Sequence, residues 1–211
     1  MKTLNYKTIL KDKQIINIYK TIDKQNKSQW AKHGLGHIKI VLKNAKILCK
    51  LFKINKNYAN LTYCACVLHD VGEVYGKENH WERSAIFAKN YLKTFAINST
   101  DYLCLCEAIN HHFRAEENSS IVRIILVLSD KLDITKKRIL PEGEKKEGMR
   151  QSQYINKVKL QKTANLFKII IKTTKKFNKT EFLAYYFTKT LISSATVFAS
   201  NMHCGFKLIF H

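Results

Sequence analysis

From His37 to Phe52, apolar residues recur at Ile38, Val41, Ala45, Leu48 and Phe52, in alternating steps of three and four. That is the period of a helix with one buried face. The same reading predicts helices over roughly 5–26, 58–69, 79–96, 100–112 and 120–133, with Ser99 or Thr100 and Ser119 or Ser120 as N-caps. One proline, Pro141, and seven glycines leave these runs with few interruptions. Residues 1–140 therefore read as all-helical.

The pattern changes after Leu140. PEGEKKEGMRQS combines Pro, Gly and mixed charge and reads as a polar loop, the best boundary in the chain. Beyond it Val158 and Leu160 occupy alternate positions, and LFKIIIKT sets Phe167, Ile169 and Ile171 against Lys168 and Lys172, as on a half-buried strand. A helix of about twenty residues is expected near 180–200, followed by a short strand, GFKLIFH. The expected fold is mainly α, a helical bundle over 1–140, with a linker over 141–152 and a small α+β extension, ββαβ, over 153–211.

A length of 211 residues fits one domain with a small appendage, and an apolar share of 45% with 25% charge is ordinary for a globular protein. No apolar run approaches the ~20 residues of a membrane-spanning helix. The N-terminal lysines leave no uninterrupted apolar stretch of the kind a secretory signal has. A cytoplasmic protein without membrane contact is expected. The formal charge of +21 comes from 37 basic residues, but only Arg83, Arg114, Arg123, Arg138 and Arg150 are arginines, and the lysines run along the whole chain. A nucleic-acid binder usually concentrates its charge on one face. The charge is read as solvated surface that draws phosphorylated small molecules to a cleft, and no nucleic-acid partner is expected. The six cysteines include two C-x-C pairs inside apolar helical stretches, Cys64/Cys66 and Cys104/Cys106. This spacing is shorter than that of zinc ligands, so they read as reduced, buried thiols.

Six of the eight histidines fall between positions 33 and 112. His69-Asp70 ends the apolar stretch LTYCACVL and precedes Val71-Gly72, a tight turn; Asp130 closes a second apolar helix, IVRIILVLSDK. A buried carboxylate without compensation is costly. Carboxylates and imidazoles that end apolar helices together are well explained by a bound cation.

The order H…HD…D, with Gly after the HD pair, resembles the HD superfamily of metal-dependent phosphohydrolases. The matching pieces are HGLGHIKIVLKNAKIL, CVLHDVGEVYG, HWERSAIFA, AINHH and LVLSDKLDITKKRI, which span about 33–140. The likeness is greatest to a bacterial branch with an HGxxH opening motif, an additional histidine near position 80 and a short mixed tail. The resemblance implies one metal held by His37, His69, Asp70 and Asp130, and a second ion held by His80 and His111, with His112 as a further, weaker candidate and Asp70 bridging. Mixed imidazole and carboxylate ligands suit Mn²⁺, Fe²⁺, Co²⁺ or Ni²⁺. One or two divalent transition-metal ions are therefore expected, activating water for hydrolysis of a phosphate ester or anhydride in a nucleotide-like metabolite.

Asp70 and Glu73 are the catalytic candidates. Relatives that cleave cyclic dinucleotides usually carry Lys where Glu73 stands, along with a GYP signature missing here; deoxynucleotide monophosphatases carry Glu, positioned to orient or deprotonate water. The alternative for Glu73 is a solvated turn residue. His33, His112, Lys131 and Arg138 are the substrate-side candidates, and Arg138 ranks above the lysines because arginine is rare here and its fork suits phosphate. Two other readings stay open: a non-catalytic module that binds a nucleotide or partner and regulates through its tail, and oxidative cleavage at a di-iron centre on the same scaffold. The tail carries no catalytic signature. Its apolar faces are expected to pack on the helical part and to help form a homodimer.

Overall fold

The computed structural model describes residues 2–25 and 30–211. At its centre lies α7 (Ile121–Lys131), in which every residue from Val122 to Asp130 is buried. A helix apolar on all sides has to be surrounded. α3 (Leu35–Leu51) and α4 (Lys56–Leu68) pack on it and on each other, α6 (Ser99–Asn110) lies beside it, and α10 (Tyr186–Asn201) covers a further side. α3 buries Ile38, Val41, Ala45 and Leu48, the three-and-four spacing expected of it.

The remaining helices form an outer layer. α1 (Tyr6–Leu10) and α2 (Lys13–Gln25) divide the helix expected over 5–26, because the Asp12 carboxylate accepts from the Gln14 amide (2.8 Å) and starts a new helix. Residue 26 lies outside the described residues. α5 (His80–Leu92) ends short of 96, where β2 (Phe95–Ala96) pairs in parallel with β1 (Lys2–Thr3), so residues 1–140 are not wholly helical. Asn98, not Ser99 or Thr100, caps α6, since its Oδ1 reaches the Asp101 amide at 2.8 Å. Ser120 caps α7 as expected.

The segment read as a polar loop is more ordered than that. It forms α8 (Pro141–Lys145) and a 3₁₀ helix, Met149–Tyr154, in which Gln151 and Ser152 are buried. Beyond it β3 (Ile155–Thr163) pairs antiparallel with β4 (Leu166–Thr173), and β4 pairs in parallel with β5 (Gly205–Phe210). The helix expected near 180–200 is broken at Tyr185 into α9 (Lys179–Ala184) and α10. Glu181 explains the break. Its carboxylate takes bonds from the Gly148 amide, Arg150 and Gln151, which hold α9 to the 3₁₀ segment while α10 lies along α7. Phe52 at the end of α3 meets Phe167 of β4 and Phe198 of α10, with ring centroids 5.5 and 4.7 Å away. The extension and the helical bundle thus share one core. Among the described residues no helix is long and apolar enough to cross a membrane.

Candidate metal centre

Four helix ends converge on one point. His37 sits in the first turn of α3, His69 and Asp70 follow the end of α4, Asp130 ends α7, and His80 opens α5. His112 lies just past the end of α6. The Tyr19 hydroxyl donates to the Val67 carbonyl (2.7 Å) and holds the end of α4 in place. Gly72 allows α5 to come close. A Cβ there would lie 2.3 Å from the His80 carbonyl oxygen and 2.6 Å from the Ser84 nitrogen. Its own amide donates to Ser84 Oγ at 2.9 Å.

Each ring is held from behind. Nδ1 of His69, His80 and His112 lies 3.0, 2.8 and 2.7 Å from the carbonyl oxygens of Cys66, Lys77 and Ile109. A carbonyl only accepts, so Nδ1 carries the proton in each, and in the neutral ring Nε2 presents a lone pair. His37 is held in the same way by Asp133 Oδ2, 2.8 Å from its Nδ1. All four Nε2 atoms face Asp70. Its Oδ2 lies 3.4 Å from His37 and 3.3 Å from His69, and its Oδ1 lies 3.4 Å from His80 and 3.5 Å from His112. Asp130 Oδ1 is 3.2 Å from His37 Nε2.

The buried Nε2 atoms of His37 and His69 have no hydrogen-bond partner. Nε2 of His80 and His112 meet at 3.0 Å. Orphaned acceptors packed around carboxylates fit a cation. The ligand atoms of His37, His69 and Asp130 are close enough to share one ion, as are those of His69, Asp70 and His112, and of Asp70, Glu73 and His80.

The electrostatics follow from this crowding. Burial alone would raise the Asp70 carboxyl, but the imidazoles around it, His69 first and then His112, His33 and His37, hold it well below the usual range. Burial acts the same way on Asp130 and is outweighed by Lys131, His37 and His69. Glu73 goes the other way: burial, reinforced by the Asp70 charge, pushes it up to about 8. Burial lowers His112 to about 4, with His69 and His80 adding repulsion.

The structure brings His33, His37, His69, Asp70, Glu73, His80, His112 and Asp130 together, and it leaves out His111. That side chain is 42% exposed and faces Glu107, 3.6 Å away, so His112 occupies the place expected of His111. The reason is the helix face. α6 buries Leu105, Ala108 and Ile109, and the next position in that series is 112. His33 Nδ1 stands 3.2 Å from both Asp70 Oδ2 and Glu73 Oε1. Lys131 Nζ pairs with Asp130 Oδ2 (2.7 Å), and Arg138 pairs with Asp133 Oδ2 (3.3 Å). Asp133 escaped the sequence reading, although it lies three residues after Asp130 and so on the same side of the chain.

A cavity of about 330 Å³ opens above the cluster, with Asp70, His80, His112 and Asp130 in its wall beside Lys77, Lys131 and Arg138. Aromatic side chains close the other sides, among them Trp30, Trp81 and Phe113 from the helical part and Tyr185, Tyr186 and Phe187 from the extension. From sequence the extension is expected only to pack on the helical part and to help form a homodimer.

Residues 34–135 match the family model of the HD domain. Among solved structures the chain is similar to a predicted HD superfamily hydrolase from an uncultured Thermotogales bacterium, at 21% identity and a TM-score of 0.47. That likeness covers 63% of this chain and 80% of that one. No curated protein matches the chain.

Proposed function

We propose that this chain, whose residues 34–135 form an HD domain, is a metal-dependent phosphohydrolase acting on a phosphate ester or anhydride of a nucleotide-like metabolite. The carrying observation is the convergence of four imidazole Nε2 atoms, each ring held at Nδ1, on the two oxygens of Asp70. His37, His69, Asp70 and Asp130 would hold one divalent ion, and His80 and His112 a second, with Asp70 between them. The nitrogen and oxygen donor set suits Mn²⁺, Fe²⁺, Co²⁺ or Ni²⁺. Bound there, such ions supply Lewis acidity toward a phosphoryl oxygen and toward water.

The chain's own groups supply the rest. We assign Glu73, whose Oε1 lies 3.2 Å from His33 Nδ1, to orient or deprotonate the attacking water. Lys131 and Arg138 line the cavity and bring positive charge to a phosphate there. The aromatic walls exclude water from the organic part of the substrate.

The test is metal analysis of protein purified with and without air, joined to a phosphate-release panel of nucleotides and sugar phosphates. The expected result is transition metal bound to wild type, phosphate released from at least one nucleotide, and both lost in His69→Ala and Asp70→Ala. Full turnover by either variant at matched metal occupancy would overturn the proposal.

A further inference from the structure

The chain has only two tryptophans, and both line the cavity above the histidine cluster. Trp30, Phe113 and Tyr186 are also among the few large apolar side chains left exposed, at 38%, 42% and 59%. Exposed aromatics gathered around one cavity make a surface suited to stacking a flat group. Tyr186 is contributed by the C-terminal extension, from the first residue of α10. Two residues on, Thr188 also lines the cavity. Its side chain is buried, and its Oγ1 has no hydrogen-bond partner. An unpaired buried hydroxyl is costly, and a ligand with a polar edge would satisfy it. The extension is also tied to the cluster, since Lys131 Nζ pairs with Asp130 and lies 5.2 Å from the centre of the Phe187 ring.

We propose that the C-terminal extension forms the specificity wall of this cavity, and that Tyr186 and Thr188 select a phosphate compound whose organic group is a planar ring with a polar edge. This rests on the phosphohydrolase reading above. Tyr186 offers a ring face that any flat heterocycle can stack on. Thr188 adds a hydrogen bond that a plain hydrocarbon ring would leave unmade. A bare sugar phosphate would fill the phosphate-binding end of the cavity and leave the aromatic rim wet.

The two tryptophans supply the readout. Full-length protein, kept in chelator so that no turnover occurs, is titrated with AMP and with ribose 5-phosphate while tryptophan fluorescence is followed. Wild type is expected to bind AMP about ten-fold more tightly than ribose 5-phosphate, the scale of one stacked base. Tyr186→Ala removes most of that difference. Thr188→Val, which keeps the volume of a buried side chain, weakens AMP about two- to ten-fold and leaves ribose 5-phosphate unchanged. Equal affinity of wild type for the two compounds overturns the proposal. So does an equal loss of both in Tyr186→Ala and in Thr188→Val.

The two readings fail separately. Base-dependent quenching without phosphate release from any compound on metal-loaded protein keeps the wall and rejects the hydrolase. Phosphate release at equal kcat/KM from AMP and ribose 5-phosphate keeps the hydrolase and rejects the wall.

Discussion

At the scale of single residues, what sets the centre apart is the far side of each ring. His37 depends on Asp133, which in turn pairs with Arg138. Removing such a supporting carboxylate typically lowers metal affinity about 10- to 100-fold. Asp133→Asn is expected to do so with little change in helical content, as metal titration and circular dichroism would show. The two adjacent histidines give a sharper contrast. His112→Ala should reduce the bound metal from about two ions to one per chain, while His111→Ala leaves it unchanged; metal loss in His111→Ala alone would reverse the assignment. His112 was in principle legible in the sequence, through the series Leu105, Ala108, Ile109. The HH pair hid it, because a motif read as a string does not say which of two neighbours faces inward.

Glu73 supplies a test by pH. Its folded pKa, about 8, lies above the ordinary 4.5 because burial and the Asp70 charge penalise the ionised form. The proton it holds stabilises the fold fully below 4.5, and that contribution is lost as pH rises through about 8. Glu73→Gln keeps a neutral group there at every pH. In chelator-treated protein the variant should therefore melt at a higher temperature than wild type at pH 9, and the gap should narrow as pH falls from about 8 and close only near 4.5. A gap that widens on acidification would mean that Glu73 is ionised in the fold.

At the scale of elements, the centre exists because α3, α4, α5 and α7 bring their ends to it while their sides form the core. α3 and α7 were open to sequence reading because the apolar period of the one and the unbroken apolar run of the other each lie within a single stretch of chain. The short strands β1 and β2 were not, since two residues carry no period and their pairing joins distant positions, Lys2 with Phe95. The break at Tyr185 was hidden for a similar reason: Glu181 is held by Gly148, Arg150 and Gln151, some thirty residues earlier in the chain. Gly72 lies where the elements press hardest. Gly72→Ala would force its Cβ against the backbone of α5, which cannot give way as a flexible side chain can. The variant should lose metal affinity and melt at a lower temperature, with both effects measured on the same preparation.

At the scale of the whole molecule, the extension and the bundle stand or fall together. Phe167 and Phe198 are fully buried, and their rings meet each other and Phe52 at 5.3, 5.5 and 4.7 Å. Each aromatic ring buries on the order of 150–250 Å². A three-stranded sheet with a single covering helix is marginal by itself. The bundle loses as much by separation, because α10 packs directly along α7, whose apolar residues would then meet water. Truncation after residue 150 should therefore give an aggregating fragment, seen by light scattering, even though His37, His69, Asp70, His80, His112 and Asp130 all remain in it. Phe198→Ala makes the milder version of the same test, with an expected loss of about 3–5 kcal/mol in chemical denaturation. A monodisperse fragment that melts like the full chain would show that the bundle is complete without its extension, and the wall of the cavity would then be an addition to a fold that never needed it.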